Sequence, residues 1–187
     1  TLPRVFGLFF NQSQNQLFTD RNIINAINAV VDREYLIREV LGGYGVALWG
    51  PTPPSITDYQ YKEVKDGLEE KIKKGDEYLA KSGWKKNEEG ILEKTITEKK
   101  KKTTINLEFS ISTGNAPELI KIAELIKTDL EKLGMRVEVK TFEIGNLNQS
   151  VIRPRNYDAL LFGQIINHES DLFAFWPSSQ RKDPGLN

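Results

Sequence analysis

The sequence predicts an α/β fold, a mixed sheet with flanking helices, and three stretches carry that prediction. Ala159 to Phe162 is a continuous apolar run, the pattern of a strand covered on both faces. Ile105, Leu107, Phe109 and Ile111 alternate with Asn106, Glu108 and Ser110, the pattern of a strand with one buried face. Thr103–Ser112, a helix opened by Pro117 and Arg136–Phe142 form a strand–helix–strand unit long enough for a parallel, right-handed crossover.

Taken in order, Leu2 to Phe10 reads as a strand entered without a leader. The expectation is a piece of a longer protein, with any export signal upstream. Asn11 to Gln16 is a polar loop, and Asp20 is an N-cap for a helix that keeps its apolar spacing at Ile23, Ile27, Val30 and Val31. Asp32 restarts the pattern at Leu36, Ile37, Val40 and Leu41, and Gly42-Gly43 ends it. Tyr44 to Pro54 is stiffened by Pro51, Pro53 and Pro54; it reads as a rigid connector, with Trp49 as the wall of a site being the alternative.

Tyr61 to Ser82 is expected as a charged surface helix with Leu68, Ile72 and Leu79 as its apolar stripe, weakened at Gly75 and stopped by Gly83-Trp84. Ile91–Thr97 and Thr103–Ser112 are expected to pair as strands around a lysine-rich tip, Lys99 to Lys102. The turn Thr113-Gly114-Asn115 enters the helix whose inner stripe is Leu119, Ile122, Ala123, Ile126, Leu130 and Leu133, closed by Gly134. After Arg136–Phe142, a looser crossover from Glu143 to Asn156 leads into the last apolar strand, which Gly163 allows the backbone to leave sharply.

Composition narrows the chemistry. A chain of 187 residues with 39% hydrophobic and 28% charged residues is globular and able to bury a core. Lys+Arg and Asp+Glu both total 26, so no net charge draws the chain to nucleic acid or to an anionic membrane. The absence of cysteine removes disulfides, thiolate catalysis and cysteine-ligated metals. The single histidine, His168, offers one ligand to a metal and no triad, so neither metal nor cofactor is expected.

Function is placed at the carboxyl end of the last apolar strand, where open α/β sheets hold ligands. The polar turn there begins Gln164-Ile165-Ile166-Asn167-His168, and the Ser112 to Asn115 turn is expected at the same sheet edge. The plainer alternative is an ordinary turn in which Asp171 caps a short helix ending at Trp176. Two other classes compete: a hydrolase using Glu169 and Asp171 as acid and base, and an interaction module presenting the helix Tyr61–Ser82.

The order of Asp20-Arg21-Asn22-Ile23, Val31-Asp32-Arg33-Glu34, Gly42-Gly43-Tyr44-Gly45, Gly50-Pro51, Gly83-Trp84, Leu133-Gly134 and Tyr157-Asp158-Ala159-Leu160-Leu161-Phe162-Gly163 resembles the family 5 extracellular solute-binding proteins, the oligopeptide, dipeptide and nickel receptors of ABC importers. The resemblance spans nearly the whole chain. It implies a type II periplasmic-binding-protein fold of two lobes that close on a ligand, with residues 1–187 forming one lobe of a larger receptor and the other lobe absent. It further implies a monomeric, non-catalytic protein at the outer face of the cytoplasmic membrane, in a periplasm or on a lipid anchor, that passes its solute to a permease.

In peptide-binding members the strand matching Ala159–Gly163 is followed by a tryptophan and, after two intervening residues, by an aspartate that pairs with the ligand's amino terminus. Those positions are Gln164 and Asn167 here, so a charge-assisted contact becomes a neutral one. A basic residue that meets the ligand's carboxylate in some relatives falls near Arg153, with Arg155 close by, and another arginine position appears as Leu161. The implied ligand is an oligopeptide or, given the lost charge, an oligosaccharide.

Overall fold

The computed structural model describes residues 4–50, 66–98 and 101–165. The larger of its two sheets has four strands in the order β1 (Arg4–Phe10), β7 (Ala159–Ile165), β5 (Glu108–Gly114) and β6 (Arg136–Phe142). β5 runs parallel to both β6 and β7, and β1 lies antiparallel to β7. The sheet is therefore mixed, as expected. The smaller sheet stacks β2 (Lys85–Lys86), β3 (Leu92–Glu98) and β4 (Lys101–Asn106) in antiparallel order.

The helices start and stop where local chemistry says they should. A 3-10 turn, Gln16–Thr19, leads to α1 (Arg21–Val30), whose first turn is capped by the Asp20 side chain accepting from the Asn22 N–H at 2.9 Å. The Asp32 carboxylate accepts from the Tyr35 N–H at 3.0 Å and opens α2 (Arg33–Leu41) as a separate helix, each cap contributing about 1 kcal/mol. Gly42 ends α2 in the left-handed conformation.

The Tyr61–Ser82 expectation is corrected in two respects. The helix α3 is Leu68–Lys81, preceded by non-helical Asp66 and Gly67, while residues 61–65 lie outside the described residues. Leu68, at 49% exposure, is not part of its buried face. Gly75 does not interrupt α3 either: a Cβ there would lie 2.8 Å from Leu133 Cδ2, so glycine lets this helix approach a fully buried leucine. At its end the Trp84 N–H returns to Leu79 O at 3.1 Å and the indole is buried, folded back as expected.

The expected strand Thr103–Ser112 is two strands in two sheets. The chain changes partners at Leu107, which is fully buried. Its N–H donates to Leu92 O at 2.8 Å in the small sheet, and its carbonyl accepts from Arg136 N at 3.0 Å beside the large one. Alternation continues straight through such a crossing, so the sequence pattern does not mark it. β5 is also buried on both faces, with Ser110, Ser112 and Thr113 inside, because it lies between two strands and under the crossover that follows β6.

Between β5 and β6 runs α4 (Pro117–Lys132), with Pro117 in its first turn and Ile122, Ala123, Ile126 and Leu130 buried. These join Ala159, Leu161, Ile111 and the buried face of α1 in the main core. The second crossover is a helical turn, Ile144–Asn146, continued by a π-helical turn, Leu147–Ile152. Leu147 and Val151 pack against Leu160 on the other side of the sheet. β7 is thus covered on both faces, as its apolar run predicts; each such leucine contributes about 2 kcal/mol on burial. No helix among the described residues is long and apolar enough to cross a membrane.

Lys71 of α3 reaches the Asp32 carboxylate at 2.8 Å, and the Asp32 N–H donates to Asp129 of α4 at 3.5 Å. Burial alone raises the Asp32 pKa, but hydrogen bonds from Lys71 and the Tyr35 N–H, with the charges of Lys71 and Arg38, more than offset it and leave it below its ordinary value. A lowered carboxylate pKa contributes stability that is present above the unfolded value of about 3.9 and is lost as pH falls through the folded one. Asp32→Asn, which keeps a capping oxygen, should therefore cost up to about 1 kcal/mol at neutral pH, discounted for partial exposure. In urea unfolding at several pH values, the gap from the parent protein should close below about pH 4; a gap constant with pH would refute the ion pair's contribution.

Candidate functional site

The edge where β5 and β7 end is built by register. Thr113 stands opposite Leu161, and its hydroxyl donates to the Leu161 carbonyl at 2.9 Å, so both strands point their carboxyl ends the same way. β5 ends at Gly114 and the exposed Asn115 follows it. β7 runs on to Ile165, escorted by β1, with Phe6 opposite Gly163, Val5 opposite Gln164 and Arg4 opposite Ile165.

The expected turn is corrected at its start. Gly163 does not release the backbone; Gln164 and Ile165 continue the strand. A Cβ on Gly163 would lie 2.9 Å from Phe6 Cε1, so glycine here makes room for a cross-strand ring that lies over it. A small residue after an apolar run announces either a turn or a close approach, and only the partner strand distinguishes them. Ile166, Asn167 and His168 lie outside the described residues, as do Glu169, Asp171 and Trp176.

Of the predicted residues that are described, Asn115, Gln164 and Ile165 come to one edge of the sheet. Arg153 does not join them. It closes the π-helical turn two residues before Arg155, whose carbonyl accepts from Asn11 Nδ2 at 2.7 Å, just past the far end of β1. β7, at 7 residues, separates these ends by roughly 20 Å. Leu161 is packed in the main core. Trp49 is likewise elsewhere: Arg33 stacks on its ring at 4.7 Å, and the neighbouring Asp32 touches Asp129, about 18 Å along α4 from Asn115. Trp49 therefore lies away from the Asn115 edge, while Pro51, Pro53 and Pro54 of the expected connector lie outside the described residues.

The amino end of the sheet is structural. The Asp158 carboxylate accepts from both the Ser110 N–H at 2.9 Å and its hydroxyl at 2.8 Å, while the Asp158 carbonyl accepts from the Asn11 N–H at 2.8 Å. Burial raises the Tyr157 pKa, partly opposed by the charge of Arg155. Among the described residues no three His, Cys, Asp or Glu side chains gather where they could hold a metal. The shallow concavity beside Glu69, Ile72, Lys73 and Asp76 is lined by α3 and by none of the predicted site residues.

Sequence reading missed Arg4 and Phe6, which flank the carboxyl end of β7. Their signal was present only as a polar residue opening the apolar run Val5–Phe10. What brings them to the site is a pairing between residues about 160 positions apart, which no local pattern encodes.

A family described as bacterial extracellular solute-binding proteins, family 5 Middle, matches residues 1–184. The oligopeptide-binding protein AppA of Bacillus subtilis (strain 168) is 29% identical over 177 residues, covering 93% of this chain and 31% of the relative. The structure of the B. subtilis AppA in complex with a nonapeptide superposes with a TM-score of 0.74 at 26% identity, over 97% of this chain and 36% of that one. NikZ from Campylobacter jejuni, solved with Ni(L-His), shares the fold at 23% identity and a TM-score of 0.72, over 98% of this chain and 35% of that one. The chain thus spans about a third of the length of the relatives it matches.

Proposed function

The chain belongs to the bacterial extracellular solute-binding proteins, family 5, and from that premise we propose that it is one lobe of an importer's receptor, with a cleft at the carboxyl edge of its large sheet. The observation that carries this reading is the parallel register of β5 and β7, which brings Asn115, Gln164 and Ile165 to a single edge. Ile166, Asn167 and His168 follow directly in the chain and complete the proposed contact set.

The solute class is an oligopeptide, supported by the name and bound nonapeptide of the most similar relatives reported above. Asn167, neutral where peptide-binding relatives carry a charge, makes an oligosaccharide the alternative. Binding, not turnover, is the activity. The receptor is a monomer outside the cytoplasmic membrane, free or lipid-anchored, and delivers its solute to an ABC permease.

The test is thermal and urea unfolding of the full-length protein with peptides of increasing length, oligosaccharides and metal chelates. Selective binding to the native state should raise its stability by roughly 2.7 kcal/mol at a hundredfold excess over Kd. Peptides should give that shift; a shift with oligosaccharides alone reassigns the solute, and no shift with any class removes the receptor reading. Asn167→Ala should weaken the active ligand roughly two- to tenfold, the worth of one neutral hydrogen bond.

A further inference from the structure

A cation stands beside the carboxyl end of β7. Arg4 opens β1 and stands opposite Ile165. Its guanidinium carbon lies 5.9 Å from the centroid of the Phe6 ring, within the range of a cation–π contact. Phe6 and Arg4 both lie over Gly163: a Cβ there would sit 2.9 Å from the ring and 3.4 Å from Arg4 Cδ. The bare backbone of Gly163 thus accommodates the ring and the arginine stem side by side. The stem passes over Gly163 at Cδ, while the residue as a whole is exposed.

Among the described residues this guanidinium has no ion pair or hydrogen bond; the ring beneath it is its contact. Surface arginines commonly meet a carboxylate, and this chain has as many acidic as basic residues to supply one. Among the described residues of β1 and β7, Arg4 has Ile165 opposite it, Gly163 beneath it and Phe6 two residues on, none of them charged, and the carboxyl end of β6 lies three strand spacings away, roughly 14 Å. A guanidinium within cation–π range of a ring, on an exposed residue, still has its planar fork of donors to offer a ligand.

We propose that Arg4, positioned by Phe6 over Gly163, is a specificity residue that recognises a carboxylate on the bound solute. The inference rests on the receptor reading given above and deepens it: the favoured peptides carry an acidic group at the ligand position over the end of β7. A carboxylate meeting a guanidinium in a closed cleft forms a charge-assisted, bidentate contact that its amide counterpart cannot match.

The experiment uses the full-length protein and nonapeptides of alanine, glycine and serine in which one glutamate is moved along the chain, each paired with its glutamine counterpart. At one position the glutamate peptide should bind about tenfold more tightly than the glutamine peptide. Arg4→Gln should reduce that preference to about twofold or less. Arg4→Lys, which keeps charge but not the fork, should retain an intermediate preference. A glutamate preference that survives Arg4→Gln, or no preference at any position, overturns the role of Arg4 while leaving the receptor reading intact. Failure of every peptide to bind the parent protein overturns both.

Discussion

Gly134→Ala should destabilise the chain by about 3 kcal/mol, the larger of the two strongest effects expected here. Two costs combine at this residue. Its φ is 91°, a left-handed conformation in which an alanine costs roughly 1–2 kcal/mol. A Cβ would also stand 2.5 Å from the Gly90 carbonyl oxygen and 3.2 Å from Lys86 Cε. The oxygen is backbone, so relief requires moving the whole turn before β3. That turn is tied down, because the Leu92 N–H donates to the Gly134 carbonyl at 2.8 Å.

Gly90→Ala supplies the control. Its φ of 78° is similar, but nothing lies within 4 Å of the added carbon, so only the conformational cost applies, about 1 kcal/mol. Urea unfolding followed by circular dichroism, with the slope unchanged and the midpoint lowered, measures both. Equal losses for the two variants would mean that the small sheet does not press on the end of α4.

Asp158→Ala should cost about 2–3 kcal/mol. Ser110 is buried and gives both its N–H and its hydroxyl to one oxygen of Asp158. β5 and β7 begin their ladder only at Ile111 opposite Ala159, so the carboxylate serves the donor just before the ladder starts. Removing it leaves two buried donors without an acceptor. Asp158→Asn keeps an oxygen with two lone pairs and should lose less than half as much. The same urea measurement decides it: if the two substitutions cost the same, the two hydrogen bonds at Ser110 are not what holds this corner. The effect should appear in stability and spare solute affinity, since Asp158 sits at the opposite end of β7 from the proposed cleft.

Local patterns made several elements legible. Asp20 and Asp32 announced two helices because a short acidic side chain can reach the N–H groups of the first turn. The apolar run Ala159–Phe162 announced a strand covered on both sides, and Pro117 the start of α4. Glycines were the least legible residues. Gly75 reads as a weak point in a helix and Gly163 as an exit from a strand, yet each is a place where Leu133 or Phe6 presses against backbone.

The candidate site divides the same way. The segment from Gln164 was marked by its change from apolar to polar residues after a buried strand. The exclusion of Arg153 from that edge, and the arrival of Arg4 and Phe6, depended on which strands lie beside β7 and in which direction.

By itself the sequence determined the class of fold, the capping residues and the strand at whose end a ligand is proposed, because each depends on interactions within a few residues along the chain. Tertiary structure alone decided the split at Leu107, the companions of β7 and the glycines that admit neighbouring side chains. Those are contacts between distant segments, and a periodic pattern records which face of a strand is apolar without naming what will cover it.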